Sequence, residues 1–205
     1  MTQIKAIKDW KYIFLDTSVI IDYLSDAAKF SKNPPQKERI EKIQQLFDKI
    51  LAEKEDKVII YISAITLAEL TKTNLPDNIT NEMIELFYFS DVMFVEFNAQ
   101  TASLLQKDLE KYLGTGQKHQ FLKELETVRR NEGTMSARQW VADDLKIVAT
   151  AKTRSDLDKL DVILTSDTKT FIPFAQKFQL PCLTTMDFPV DLYENIDVNT
   201  AITVS

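Results

Sequence analysis

The 205-residue chain is 44% apolar and 27% charged, a mixture that fits one packed soluble domain and excludes a disordered or membrane class. Its longest apolar runs, VIIYI and LDTSVII, fall well short of the roughly 18 residues of a spanning helix, and MTQIKAIKDW lacks an apolar signal core, so a cytoplasmic protein is expected. Lone Cys182 and lone His119 leave no disulfide and no Cys/His set for zinc, and the net charge of −6 argues against a protein that coats nucleic acid.

In chain order, KYIFL reads as a buried strand that ends at Asp16 and turns into a helix capped by Thr17 or Ser18. After a polar link with Asn33, Pro34 and Pro35, Ile40, Ile43, Phe47 and Ile50 repeat at helical spacing over about Gln36 to Glu53. Val58 to Ile62 is the second strand, and Ser63 to Thr73 leads from it into a helix ended by the Asn74 to Pro76 loop. A helix over about Asn81 to Ser90 precedes a third strand, VMFVEF, and Ala99 to Leu113 is helical again. Gly114 and Gly116 break that pattern. A polar helix over about Gln117 to Arg130 follows, and Ser136 opens another that runs to about Arg154. Asp161 to Thr165 is the fourth strand, Thr168 to Phe178 its helix, and PCLTT a short fifth strand. The residues from about Asp191 onward show no clear period and read as a frayed tail or an added edge strand.

Strands alternating with helices, and strands that are apolar throughout, predict a parallel sheet covered on both faces. The expected fold is a single α/β domain spanning residues 1–205, a three-layer α/β/α sandwich with four to five parallel strands. In such sheets ligands collect beyond the carboxyl ends of the strands. Asp16 and Asp167 sit at two of those ends, and Glu69 and Asp144 lie on helices able to reach the same crevice. Carboxylates that converge raise one another's pKa and call for a cation, and oxygen ligands without Cys or His select Mg²⁺ or Mn²⁺. Acidic charge is also uneven along the chain: Asp156 to Ser205 carry eight Asp/Glu against three Lys, whereas Gln106 to Ala142 carry seven Lys/Arg against five Asp/Glu. Net charge is therefore a poor judge of nucleic-acid binding here.

Four segments resemble the motifs of the PIN-domain nucleases. IFLDTSVIIDYL is similar to the first, an apolar strand ending in Asp, then Thr or Ser, then Asn or Ser. YISAITLAEL resembles the second, with Glu69 six residues after the strand-ending Ser63; DLKIVATA resembles the third and selects Asp144 over Asp143; ILTSDTKTF resembles the fourth and places Asp167 and Phe171. The likeness covers about Tyr12 to Leu113 and Val141 to Thr185. It departs at Thr170, where many relatives carry a further acidic residue, and at a helical insertion of about 114–140. The resemblance implies a metal-dependent ribonuclease. Asp16, Glu69, Asp144 and Asp167 would hold one or two Mg²⁺ or Mn²⁺ ions, with Thr17 or Ser18 assisting through a hydroxyl or a water. A pair of ions about 3.5 to 4 Å apart would activate water and stabilise the leaving oxygen. Lys146, Lys152, Arg154 and Lys169, with Lys72, flank the motifs as candidates to hold the substrate backbone, and Arg129 and Arg130 would extend that track.

Blander readings stand beside these. A lone Asp after a strand is ordinarily a helix cap. Asp22 reads as a surface residue or a support for the ligands, Asp143 as a solvated residue or the ligand in place of Asp144, His119 as exposed, and Trp140 with Phe121 and Leu125 as filling beneath the insertion rather than an exposed interaction surface. FLDTS also resembles the nucleophile strand of haloacid-dehalogenase phosphatases, but those need a second Asp where Ser18 stands. Among PIN-like roles, the toxin of a toxin–antitoxin pair leads, with RNA as substrate, an antitoxin protein as partner, and a homodimer as assembly. DNA is the less favoured substrate. The alternative is an idle module that recognises RNA or assembles a complex.

Overall fold

A computed structural model describes residues 4–53, 58–72, 91–107, 109–130 and 136–187. The expected helix at about 81–90 and the tail beyond 190 lie outside them. The first strand, β1 (Tyr12–Leu15), leads into α1 (Thr17–Tyr23), and α2 (Pro34–Glu53) follows. β2 (Ile59–Ser63) runs directly into α3 (Ala64–Lys72), and β3 is Asp91–Val95. Next come α4 (Ala99–Lys107), α5 (Leu109–Leu113), α6 (Lys118–Arg129) and the long α7 (Ala137–Asp158). β4 (Val162–Thr165), α8 (Phe171–Lys177) and β5 (Cys182–Thr184) complete the described fold.

The five strands form one all-parallel sheet in the order β3-β2-β1-β4-β5. β1 is central, paired with β2 on one side and β4 on the other, and its apolar residues Ile13, Phe14 and Leu15 are buried on both faces. Side chains alternate as strand geometry requires. Ile13, Leu15, Ile60, Ile62, Val162 and Leu164 enter one core with Val19 and Ile20 of α1 and the Ile43, Phe47 and Ile50 stripe of α2. Phe14, Tyr61 and Ile163 point into the other, against Val141, Ile147, Val148 and Ala151 of α7 and Phe171, Phe174 and Phe178 at α8. The expected three-layer sandwich is what forms. The start of β1 is tied to β4 by Asp161, whose Oδ2 accepts the Lys11 and Tyr12 amides at 2.8 and 2.9 Å while Oδ1 accepts Lys5 Nζ at 2.6 Å.

Two surface assignments are corrected. Asp22 is 3% exposed, because α1 packs under α2 and Arg39 grips its carboxylate at both ends, Nε to Oδ2 at 2.7 Å and Nη2 to Oδ1 at 2.9 Å. Asp143 is also buried, 5% exposed, with Gln139 Nε2 and Lys146 Nζ each at 2.8 Å from its oxygens. Within the insertion Lys118–Arg129 fold as a helix, α6, entered through Gly114 and Gly116, whose φ values of 95° and 74° suit residues without a Cβ. Among the described residues no helix is long and apolar enough to cross a membrane.

Candidate metal centre

A strand order that grows outward from β1 in both directions makes β1 and β4 the place where the connections diverge, the usual ligand crevice of such sheets. Asp16 follows β1 there, its amide bonded to the Leu164 carbonyl at 3.0 Å, and Asp167 follows β4 two residues past the strand. Asp16, rather than the expected Thr17 or Ser18, holds the cap position of α1, because the helix starts at Thr17, and its side chain makes no cap bond. Its carboxylate turns instead toward the crevice: Oδ2 accepts Ser18 Oγ at 2.5 Å and Thr165 Oγ1 at 2.7 Å. Both hydroxyls are themselves aimed by the β4 turn, Ser18 Oγ accepting the Ser166 amide and Thr165 Oγ1 the Asp167 amide.

Glu69 arrives on α3, where its Oε2 accepts Thr17 Oγ1 at 2.5 Å. Asp144 arrives on α7 and meets the Thr170 hydroxyl through Oδ2. The same hydroxyl lies 2.6 Å from Asp167 Oδ2, so one hydrogen serves two carboxylates. Asp167 also caps its own turn, Oδ1 accepting the Lys169 and Thr170 amides at 2.8 and 3.2 Å. Thr17 and Ser18 thus each donate a hydroxyl to one of the acids, Glu69 and Asp16. Thr170, noted in the sequence only as a departure, is the link between two of the acids.

The four carboxylates sense one another. Burial, 3% exposure, pushes the Asp16 carboxyl up to about 6, against the pull of its two hydroxyl donors, and the charges of Asp167 and Glu69 add to the rise. Asp144 lies well above the usual carboxylate range, through desolvation first and then the charges of Asp167 and Asp16. Burial likewise raises the Cys182 thiol, with Asp16 and Asp167 contributing, which makes this buried cysteine inert rather than reactive. Among the described residues, however, no three acidic, histidine or cysteine side chains stand close enough together to hold one ion. Oxygen donors of this kind are those a hard divalent cation prefers. Hydroxyls and a guanidinium stand between the acids, so the set is a converging one rather than a finished cage.

That guanidinium is Arg129, expected on a substrate track and found inside the site. It ends α6, is 8% exposed, pairs through Nη2 with Asp167 Oδ2 and donates to Thr170 Oγ1 at 2.9 Å. Its Cζ lies over the Trp140 ring, 4.7 Å from the centroid, so Trp140 is a platform for the cation. The other basic candidates are largely engaged elsewhere. Lys146 pairs with Asp143, and Arg154 with Asp158 and the Tyr61 hydroxyl. Lys152 pairs with Asp156 two turns of α7 beyond Asp144, roughly 12 Å along the helix, beside Lys111 and Lys177 in a hollow of about 350 Å³. Lys169 stays at the crevice through its backbone amide on Asp167.

The chain matches no protein-family model and no curated protein sequence. Among solved structures, it is similar to a chain in the crystal structure of VapBC2 from Rickettsia felis bound to a DNA fragment from their promoter. Identity is 16%, the TM-score 0.42, and the match covers 84% of this chain and 98% of that one. A likeness of this size carries no argument about activity.

Proposed function

We propose that the protein is a divalent-metal-dependent nuclease of the PIN kind that hydrolyses phosphodiesters, with RNA as substrate and Asp16, Glu69, Asp144 and Asp167 as its acidic set. The observation that carries this reading is the approach of four carboxylates, from four separate segments, to the crevice between β1 and β4, where burial first and neighbouring charge second raise Asp16 to about 6 and Asp144 well above the usual carboxylate range. All-oxygen ligands suit a hard cation, and Mg²⁺ or Mn²⁺, when bound, would supply the Lewis acidity that activates water at neutral pH. The chain's own groups hold the acids in place for it. Ser18 and Thr165 fix Asp16, Thr17 fixes Glu69, and Thr170 spans Asp144 and Asp167. Asp16 is half ionised at about pH 6, so activity should rise with pH through that range.

The biological role proposed is that of a toxin restrained by an antitoxin protein and acting as a homodimer. A second reading is the catalytically idle module, favoured by one observation: no three of the acids are gathered closely enough for one ion among the described residues. Cleavage of labelled single-stranded RNA and DNA with Mg²⁺ or Mn²⁺ separates the two, comparing wild type with Asp16→Asn and Asp144→Asn. Metal-dependent cleavage of RNA lost in both variants supports the nuclease. A folded wild type that cuts neither strand favours the idle module.

A further inference from the structure

Away from the acids, the helical layer holds a charged feature of the opposite sign. Between α5, α7 and the end of α8 lies a hollow of about 350 Å³ whose lining carries Lys111, Lys152 and Lys177 and no acidic residue. In a chain of net charge −6, three lysines drawn together from three helices run against the overall balance. Each ammonium leans on an aromatic ring. Lys111 and Lys152 lie 5.6 and 5.8 Å from the centroid of Tyr112, and Lys177 lies 5.4 Å from that of Phe121. Tyr112 is itself fixed, stacked on buried Phe178 at 4.6 Å. Lys152 pairs with Asp156, whose side chain is 55% exposed, whereas Lys111 and Lys177 form no ion pair among the described residues. The hollow therefore keeps positive charge for an anion from outside.

The inserted helix relates this hollow to the acids. Phe121 near the start of α6 meets Lys177, and Arg129 at its end meets Asp167, so α6 reaches from one to the other. The span from Asp144 to Lys152 on α7 covers the same gap, roughly 12 Å along the helix. Val148, midway between them, is fully buried, so a ligand that reaches both ends passes over the outside of the helices. At a stacked rise of about 3.4 Å per nucleotide, that path is about four nucleotides or more.

We infer that this hollow is a phosphate-binding site that holds the backbone of a single-stranded nucleic acid while a distant part of the strand lies at the acids. Lysine offers phosphate a compact point charge with three rotatable donors. The Tyr112 ring is already taken by Phe178 and two ammoniums, so the site grips phosphate without stacking a base. It sets the register of the strand and reads no sequence.

The inference rests on the nuclease reading for what happens at the far end of the strand, and fluorescence anisotropy in EDTA tests binding apart from cleavage. The probe is a labelled single-stranded RNA of about ten nucleotides. The proteins are wild type, the double variant Lys111→Gln/Lys177→Gln, and Lys29→Gln/Lys32→Gln, a pair of exposed lysines beside α2 in the opposite layer that changes net charge equally. Losing two phosphate contacts should lower the slope of log affinity against log salt by about 1.4 and weaken binding about tenfold near 0.2 M salt, with the control pair within about twofold of wild type. Equal losses in the two pairs, or no RNA bound by wild type, overturn the site. So does AMP or inorganic phosphate that displaces the probe as well as unlabelled RNA at equal phosphate, which would make the hollow a site for free phosphates. Polyglutamate displacing it equally well also overturns the inference, in favour of an acidic peptide. Hollow-dependent binding by a wild type that cuts nothing with Mn²⁺ keeps the site and removes the nuclease reading. Cleavage by a protein whose two lysine pairs behave alike removes the site and keeps the nuclease.

Discussion

Asp16→Asn should stabilise the protein in metal-free buffer at neutral pH. An unfolded Asp16 titrates near 3.8 and the folded one near 6, because the carboxylate is buried among other acids. Between those values the native state binds more protons than the unfolded state, so stability falls as pH rises from about 4 to 6 and stays reduced above. The gap of about two units corresponds to about 3 kcal/mol at pH 7. Asn keeps an oxygen for Ser18 and Thr165 but pairs less strongly than a charged acceptor, so the net gain should be about 1 to 3 kcal/mol. For a chain of this length that is a rise of roughly 3 to 8 °C in Tm. The assay is thermal and urea unfolding of both proteins with EDTA from pH 4 to 8, then with millimolar Mn²⁺. The difference should be near zero at pH 4, grow through pH 6, and shrink when Mn²⁺ stabilises wild type but not the variant. A gain that does not vary with pH, or a loss of stability at pH 7, would refute the claim that the cluster stores unrelieved charge.

Arg39→Met should cost about 1 to 3 kcal/mol in urea, since Asp22 stays buried without its bidentate partner; the 32% exposure of the Arg39 side chain places the effect below that of a fully buried pair. Phe174→Ala, at a fully buried site, should cost about 3 to 5 kcal/mol and, by removing the ring that meets Phe121, should speed amide exchange in α6 more than in α2. Equal acceleration in both helices would mean that α6 is not anchored through this contact.

The layers of the fold were legible because parallel strands buried on both faces carry unbroken apolar runs, as in YIFL and IIYIS, and each ends on a polar residue where the chain turns. Asp16 and Asp167 could be placed from that punctuation alone. Asp22, Asp143 and Arg129 were misplaced for one shared reason. Each charge lies on the apolar stripe of its helix rather than on the wet face: Asp22 three residues after Val19, Asp143 four before Ile147, and Arg129 four after Leu125. Helical spacing predicts burial for all three, and burial of a charge predicts a partner, although not which one. Asp22 found Arg39 on α2, Asp143 found Lys146 on its own helix, and Arg129 found Asp167 in the turn after β4. The first two pairs are content without any ligand. Only the third joins a group that already belongs to the converging acids, and that is why the inserted helix has to be counted with the site rather than as decoration upon it. Thr170 completes the case, because its hydroxyl touches Asp144, Asp167 and Arg129 at once, at a position where sequence comparison registered only a missing acid.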